Sequence, residues 1–210
     1  MKDNRLRGLA LIIGAIAGVI TMAVHPIAHH GLISRTEMER LELLTRVVHG
    51  LALATLPLMF LGAFVLARRL DTPRRIAMLA LAIYGFALIA LMGAATMSGF
   101  VAPGVLHALV VGDPLIETRR LFLDFTFRLN QGFAEVYTVG SCIALALWSG
   151  LMVTERRFSR SLGVYGLLAS LSSVAALLSG HLPLDVHGFG LVAFSQSIWF
   201  AIAGSVLRKS

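Results

Sequence analysis

The chain has 210 residues, of which 57% are hydrophobic and only 14% charged, and its mean hydropathy of +0.83 exceeds that of an ordinary soluble domain. A net charge of +7 and a pI near 10.7 would suit a nucleic-acid-binding protein, but most basic residues stand at the ends of apolar runs. Composition therefore excludes a soluble domain with a nucleic-acid partner and predicts a polytopic membrane protein.

Six apolar runs cover residues 8–24, 47–67, 76–98, 132–153, 161–180 and 188–207. Each is close to the roughly 20 residues that an α-helix needs to cross about 30 Å of hydrocarbon. The sequence lacks the shorter, strictly alternating segments that membrane-spanning strands require. We predict an all-α bundle of six transmembrane helices that forms a single domain over residues 1–210.

The basic residues alternate between the two sides of this bundle. Twelve of the eighteen precede the first run, follow the last, or lie between the second and third or the fourth and fifth runs. The positive-inside rule then predicts three antiparallel hairpins with both termini in the cytoplasm and residues 25–45, 101–120 and 181–187 outside. A cleaved signal peptide is the competing interpretation of the first 25 residues, but no small-x-small cleavage site precedes His25.

The charged residues after the first run indicate that its connection is partly helical. Glu37, Glu39, Arg40 and Glu42 are typical of a short helix that lies at the membrane surface, so we expect residues 27–45 to form an external connection of this kind. Residues 101–120 are expected to form the second external connection.

A polar stripe marks the fourth run and the residues before it. Its members follow one another at gaps of three or four residues, which is the spacing of one helical face: Asp124, Arg128, Gln131, Glu135, Thr138 and Cys142. We expect Asp124 and Arg128 to form a pair that faces the bundle interior, with Gln131 and Glu135 on the same face. A carboxylate near hydrocarbon, such as that of Glu135, needs neutralisation or a bound cation.

The spacing Pro-x-x-x-His occurs three times, at Pro26–His30, Pro103–His107 and Pro183–His187. The prolines are nearly evenly spaced, so either a repeated two-helix unit or coincidence explains them. The predicted topology places all seven histidines at the external boundary. Two histidines and Asp185 stand together in the stretch 181–188.

This cluster of histidines predicts a transition-metal site, with Zn²⁺ favoured and Fe or Cu as alternatives. His25 and His29 have the i, i+4 spacing of many zinc sites. The candidate ligands are imidazoles from three regions together with one carboxylate: His25, His29, His30, His49, His181, His187 and Glu135. Asp185 or Asp124 is expected to orient one imidazole. The alternatives are a haem held by two histidines, or histidines that only cap helix ends.

The second half of the chain resembles a broad group of uncharacterised bacterial six-helix integral membrane proteins. The resemblance rests on the segments that begin at Ala144, Ser161 and Ser197, with their small, apolar and tryptophan residues. It implies a multi-pass protein of the bacterial cytoplasmic (inner) membrane, and it implies no activity.

Three classes of function are compatible with these residues. The first is a metal-dependent membrane enzyme, a hydrolase or oxidoreductase, that acts on a lipid-like substrate with Glu135, Arg128 and Asp124 as catalytic residues. The second is a proton-coupled transporter of a small solute or a metal that uses the polar stripe as its path. The third is a structural or haem-binding subunit. The third apolar run, residues 76–98, has few polar residues in its cytoplasmic half, so we favour a pocket open on one side.

Overall fold

The computed structural model of the chain describes residues 2–25, 35–70, 75–107, 114–155 and 158–209. The helices in these ranges coincide with the six apolar runs and extend beyond several of them. In chain order they are α1 (Lys2–Ala23), α2 (Arg35–Leu70), α3 (Ile76–Thr96), a π-helical turn (Met97–Val101), α4 (Ala102–His107), α5 (Ile116–Glu155), α6 (Arg160–Leu178) and α7 (Val186–Lys209). The all-α prediction is confirmed.

Five helical segments of the described chain are long and apolar enough to cross a membrane. They correspond to α2, α3 with its extension, α5, α6 and α7. The apolar part of α1, Gly8–Ala23, is shorter than the others. The chain is therefore a helical bundle with the helix lengths and hydropathy of a multi-pass membrane protein.

The predicted surface helix at 27–45 is wrong for residues 35–45. These residues are the first turns of α2, a single helix of 36 residues, and its Glu42–Arg46 ion pair joins adjacent turns at 2.6 Å. Residues 26–34 lie outside the described ranges.

Part of the expected connection 101–120 is also helical, since α4 and the start of α5 lie within it. At 1.5 Å per residue α2 is about 54 Å long and α5 about 60 Å, so both exceed the hydrocarbon thickness.

The long helices form a ring in which consecutive spans are neighbours. Its order is α1, α2, α3, α5, α6 and α7, and it closes where α7 packs on α1. We call the end with Arg68, Arg75, Arg160 and Arg208 the arginine end. The end that holds His25, His49, His181 and His187 is the histidine end. The two described Pro-x-x-x-His copies have different local structures, a helix at Pro103 and an irregular connection at Pro183, so they do not support a structural repeat.

An aromatic cluster fills the ring toward the arginine end. It consists of Tyr84, Trp148, Trp199 and Phe200, each at most 1% exposed, with neighbouring ring centroids between 5.2 and 6.4 Å apart. Both indole N–H groups donate to helix carbonyls, from Trp148 to Ala77 at 3.1 Å and from Trp199 to Leu162 at 3.2 Å. Buried indoles need such partners, and here they tie α5 to α3 and α7 to α6.

Replacing Trp148 with alanine should therefore lower the stability of the detergent-solubilised protein strongly, by about 3–5 kcal/mol, because the change leaves a cavity among packed rings. Trp148→Phe should have a smaller effect, since it keeps an aromatic ring and loses the bond to Ala77. Thermal unfolding followed by circular dichroism measures both. Equal melting temperatures for the alanine variant and the wild type would contradict the assignment of this cluster as the core.

Candidate functional site

Between the aromatic cluster and the histidine end, the ring encloses a cavity of about 420 Å³. Side chains from α1, α2, α3, α5 and α7 line it, and most of them are apolar, such as Met59, Leu91 and Phe189. Polar groups stand at two levels. His25, His49 and Asp185 lie toward the histidine end, and Tyr137 and Gln196 lie beside Phe200 of the aromatic cluster. We call this lower level the cavity floor.

Two of the predicted ligands come together at the upper level of the cavity. The rings of His25 and His49 lie 5.0 Å apart, edge to face at 73°. His49 is buried, and its Nδ1 is 2.8 Å from the carbonyl oxygen of Thr45. Because a carbonyl oxygen only accepts, Nδ1 carries the proton and donates it, which leaves the lone pair of Nε2 available in the neutral ring.

The π-helical turn of α3 makes room for His49. Gly99, the buried residue of this turn, packs directly on the imidazole, and a Cβ at Gly99 would overlap the Cβ of His49 and lie 2.7 Å from its Cγ. Ser98 of the same turn lines the cavity. Such single π turns inside α-helices occur often at functional sites, where they redirect side chains. Sequence reasoning missed this contact, since nothing in an apolar run shows where a turn widens.

The stretch 181–187 is a connection between α6 and α7 whose polar groups satisfy helix ends. After Ser179, Gly180 adopts φ 74°, and the N–H groups of Gly180 and His181 donate to Leu177 and Ala176 at 3.1 and 2.9 Å. This is the Schellman arrangement that ends many helices. Asp185 then begins α7, since its Oδ1 accepts from the N–H groups of His187 and Gly188 at 3.0 and 2.8 Å. Asp185 thus caps a helix. No hydrogen bond between Asp185 and an imidazole side chain occurs among the described residues, so the expected role of orienting a histidine is not seen.

The polar stripe of α5 does not face the bundle interior along its whole length, and this expectation is wrong for Asp124, Arg128 and Glu135. Asp124 and Arg128 form the predicted pair at 2.8 Å, but their side chains are 55% and 76% exposed. Glu135 is exposed as well and lines a shallow surface pocket with this pair. The length of α5 does not explain the exposure of Glu135, because α3 and α7 still flank α5 at its level, where Phe133 lies against Gly93 and Ala134 packs with Val192. Glu135 is exposed because its side chain is on the outer side of the ring. Only Gln131, Thr138 and Cys142 of the stripe are inside or beside the ring.

The described residues therefore assemble only part of the predicted metal site. His25 and His49 meet, whereas His181 and His187 are exposed and do not line the cavity. His181 instead bonds to Ser179 at 2.9 Å. No group of three or more His, Cys, Asp or Glu that could hold a metal ion occurs within residues 2–25, 35–70, 75–107, 114–155 and 158–209. His29 and His30 lie outside these ranges.

The cavity floor carries a hydrogen-bond network that sequence reasoning also missed. The Tyr137 hydroxyl is 3.2 Å from Oε1 of Gln196, and Nε2 of Gln196 is 2.8 Å from Oγ of Ser141 and 3.6 Å from Sγ of Cys142. Gln196 is only 3% exposed. The available signal in the sequence was the polar triplet Ser195, Gln196 and Ser197 within the apolar last run.

No protein-family model, curated protein or solved structure matches this chain. The resemblance of the second half to bacterial six-helix membrane proteins therefore stays a prediction.

Replacing Gly99 with alanine should displace His49, because the new methyl group overlaps its side chain. We expect a clear fall in melting temperature. Gly104→Ala is the matched control, since a Cβ at Gly104 meets nothing within 4 Å. A Gly99 variant as stable as the Gly104 variant would contradict the close contact.

Removing the α5 ion pair should have little effect on stability. Exposed pairs gain little because water screens both charges. Arg128→Ala, Asp124→Ala and the double variant should all melt within experimental error of the wild type. A single variant that is far less stable than the double would show instead that the pair is buried in the folded protein.

Proposed function

We propose that this chain is an integral membrane protein that binds a small, largely apolar molecule from the lipid phase in the cavity of its helical ring. The observation that carries the proposal is the cavity itself. Its volume of about 420 Å³ lies within the range of about 300–1,000 Å³ typical of ligand sites. Close-packed protein interiors do not keep voids of this size for structural reasons, and apolar walls with a few polar groups fit an amphipathic occupant.

The distribution of arginines supports an orientation in which the histidine end faces the outside of a bacterial cytoplasmic membrane. In that orientation a ligand enters from the outer leaflet or the external side. The aromatic cluster favours binding over transport, since four nearly fully buried rings fill the ring of helices below the cavity. A transporter would have to open this cluster in each cycle.

Binding can be tested with 1-decanol as the probe and a variant that fills the cavity. Ala52 lines the cavity one turn from His49, whereas its neighbour Leu51 is 45% exposed. Saturable binding should raise the melting temperature of the wild type and of Leu51→Phe, because a ligand that binds only the folded state stabilises it. Ala52→Phe should show no such rise. Equal stabilisation of both phenylalanine variants would show that the alcohol acts outside the cavity.

A second candidate function, transition-metal-dependent chemistry on that ligand, rests on the histidine pair. Two imidazoles bound to one tetrahedral Zn²⁺ through bonds of about 2.0–2.1 Å have ring centroids about 5 Å apart, which matches His25 and His49. The bond from His49 to Thr45 orients the ring as metal-binding histidines are commonly oriented. Rings this close leave no space for a haem between them. Zn²⁺, Fe or Cu would supply Lewis-acid or redox chemistry at the upper level of the cavity.

Metal content decides this second candidate. Elemental analysis of the purified protein after incubation with Zn²⁺ should give a stoichiometric metal that His25→Ala and His49→Ala both lose. His181→Ala is the control, because His181 is exposed and bonded to Ser179. Retention of the metal by both cavity variants would exclude the pair as ligands and leave ligand binding as the function.

A further inference from the structure

The hydrogen bonds already made at the cavity floor restrict which groups a ligand can place there. The hydroxyl of Ser141 donates to the carbonyl oxygen of Thr138 at 3.2 Å. Having used its single proton, Ser141 Oγ acts as the acceptor for Gln196 at 2.8 Å, so the near atom of Gln196 is its amide nitrogen. The amide oxygen then faces Tyr137, whose hydroxyl donates to it at 3.2 Å. The network thus fixes the orientation of the amide.

Every donor of the two polar floor residues is consequently engaged. Tyr137 has one proton, which goes to Gln196, and the two amide protons of Gln196 go to Ser141 and, weakly, to the sulfur of Cys142. What these residues still offer to the cavity are lone pairs, one on the Tyr137 oxygen and one on the Gln196 amide oxygen. A group that reaches Tyr137 and Gln196 gains a hydrogen bond from them only if it brings a proton.

Two hydroxyls on the cavity walls behave in the same way. Thr21 donates to Gly18 at 2.9 Å and Thr55 donates to Ala52 at 2.8 Å, so each gives its proton to its own helix. Both residues line the cavity. They present oxygen lone pairs along the path to the floor, as hydroxyls in membrane helices commonly do.

The ligand group that donates a hydrogen bond at the cavity floor should be uncharged. Asp185 is the only Asp, Glu, Lys or Arg among the described residues that line the cavity, and it caps α7. At 1.5 Å per residue, Gln196 lies about 14 Å further along α7 than His187. An ammonium group at that depth would lie far from a countercharge, which is costly in a low-dielectric surrounding.

From this proton inventory we propose that the cavity selects apolar alcohols, and that the hydroxyl of the ligand donates to Gln196 and Tyr137 at the floor. The inference rests on the proposed ligand-binding function and adds the chemical class of the ligand. It predicts a preference against ethers and ketones of the same shape, which only accept hydrogen bonds.

Three probes of matched length test this: 1-decanol, 1-methoxynonane and decylammonium, titrated into the full-length protein in lipid nanodiscs. Because one net hydrogen bond is worth roughly a three- to tenfold change in affinity, wild type should bind the alcohol tighter than the ether by about that factor. The ammonium should bind more weakly than the alcohol. An ether that binds as tightly as the alcohol overturns the inference, and so does an ammonium that binds more tightly.

Variants of Gln196 and Tyr137 distinguish hydrogen bonding to the ligand hydroxyl from simple filling of the cavity. In Gln196→Met the Tyr137 hydroxyl loses its acceptor and becomes a donor, so the preference should shift toward the ether. Tyr137→Phe keeps the amide oxygen open, so the preference for alcohol should persist there even if Gln196→Met fails to fold. Gln131→Met changes an amide on the same cavity away from this network and should match wild type. An alcohol preference unchanged in folded Gln196→Met, or lost in Tyr137→Phe, contradicts the proposal. If wild type binds none of the probes, the proposed function itself fails.

Discussion

The arrangement depends on the packing of four aromatic side chains at one level of a helical ring. Tyr84, Trp148, Trp199 and Phe200 hold α3, α5 and α7 apart by the width of their rings. Above this level several of the side chains that face inward are small, among them Ala52, Ala95 and Ala134, and they leave part of the space between the helices unfilled. The cavity therefore results from a change in side-chain size along the ring. The same rings that stabilise the bundle also form the base of the site.

A second constraint is the cost of an unpaired polar group inside an apolar surrounding. It explains why His49 bonds to Thr45, why Gln196 bonds to three neighbours, and why the indole nitrogens reach helix carbonyls. Each of these bonds also decides which atoms stay available to a ligand. The Nε2 lone pair of His49 and the oxygen lone pairs of Tyr137 and Gln196 are what these three residues still offer once their own donors are engaged.

Hydropathy was sufficient to predict the helical class and the positions of the helices, because each of the six apolar runs is helical in the described chain and five of these helices are long and apolar enough to cross a membrane. The three- to four-residue spacing of the polar residues predicted less of the candidate site. The gaps from Asp124 to Cys142 correctly placed these residues on one helical face, but a face is buried only where another helix lies against it. Asp124 and Glu135 are exposed, whereas Thr138 of the same stripe is buried. The π turn at Gly99 and the network of Gln196 depend on contacts between distant residues, which no local pattern contains.

Tryptophan fluorescence tests the central claim, a ligand cavity directly above the aromatic cluster, most directly. The two tryptophans of the chain are both in this cluster, and Phe200, which lines the cavity, lies 5.2 Å from the ring of Trp199. An alcohol with bromine near its hydroxyl end should quench their emission saturably, and 1-decanol should restore it by competition. In Ala52→Phe the quenching should disappear. Quenching that rises linearly with the concentration of brominated alcohol, without competition and equally in Ala52→Phe, would contradict the account.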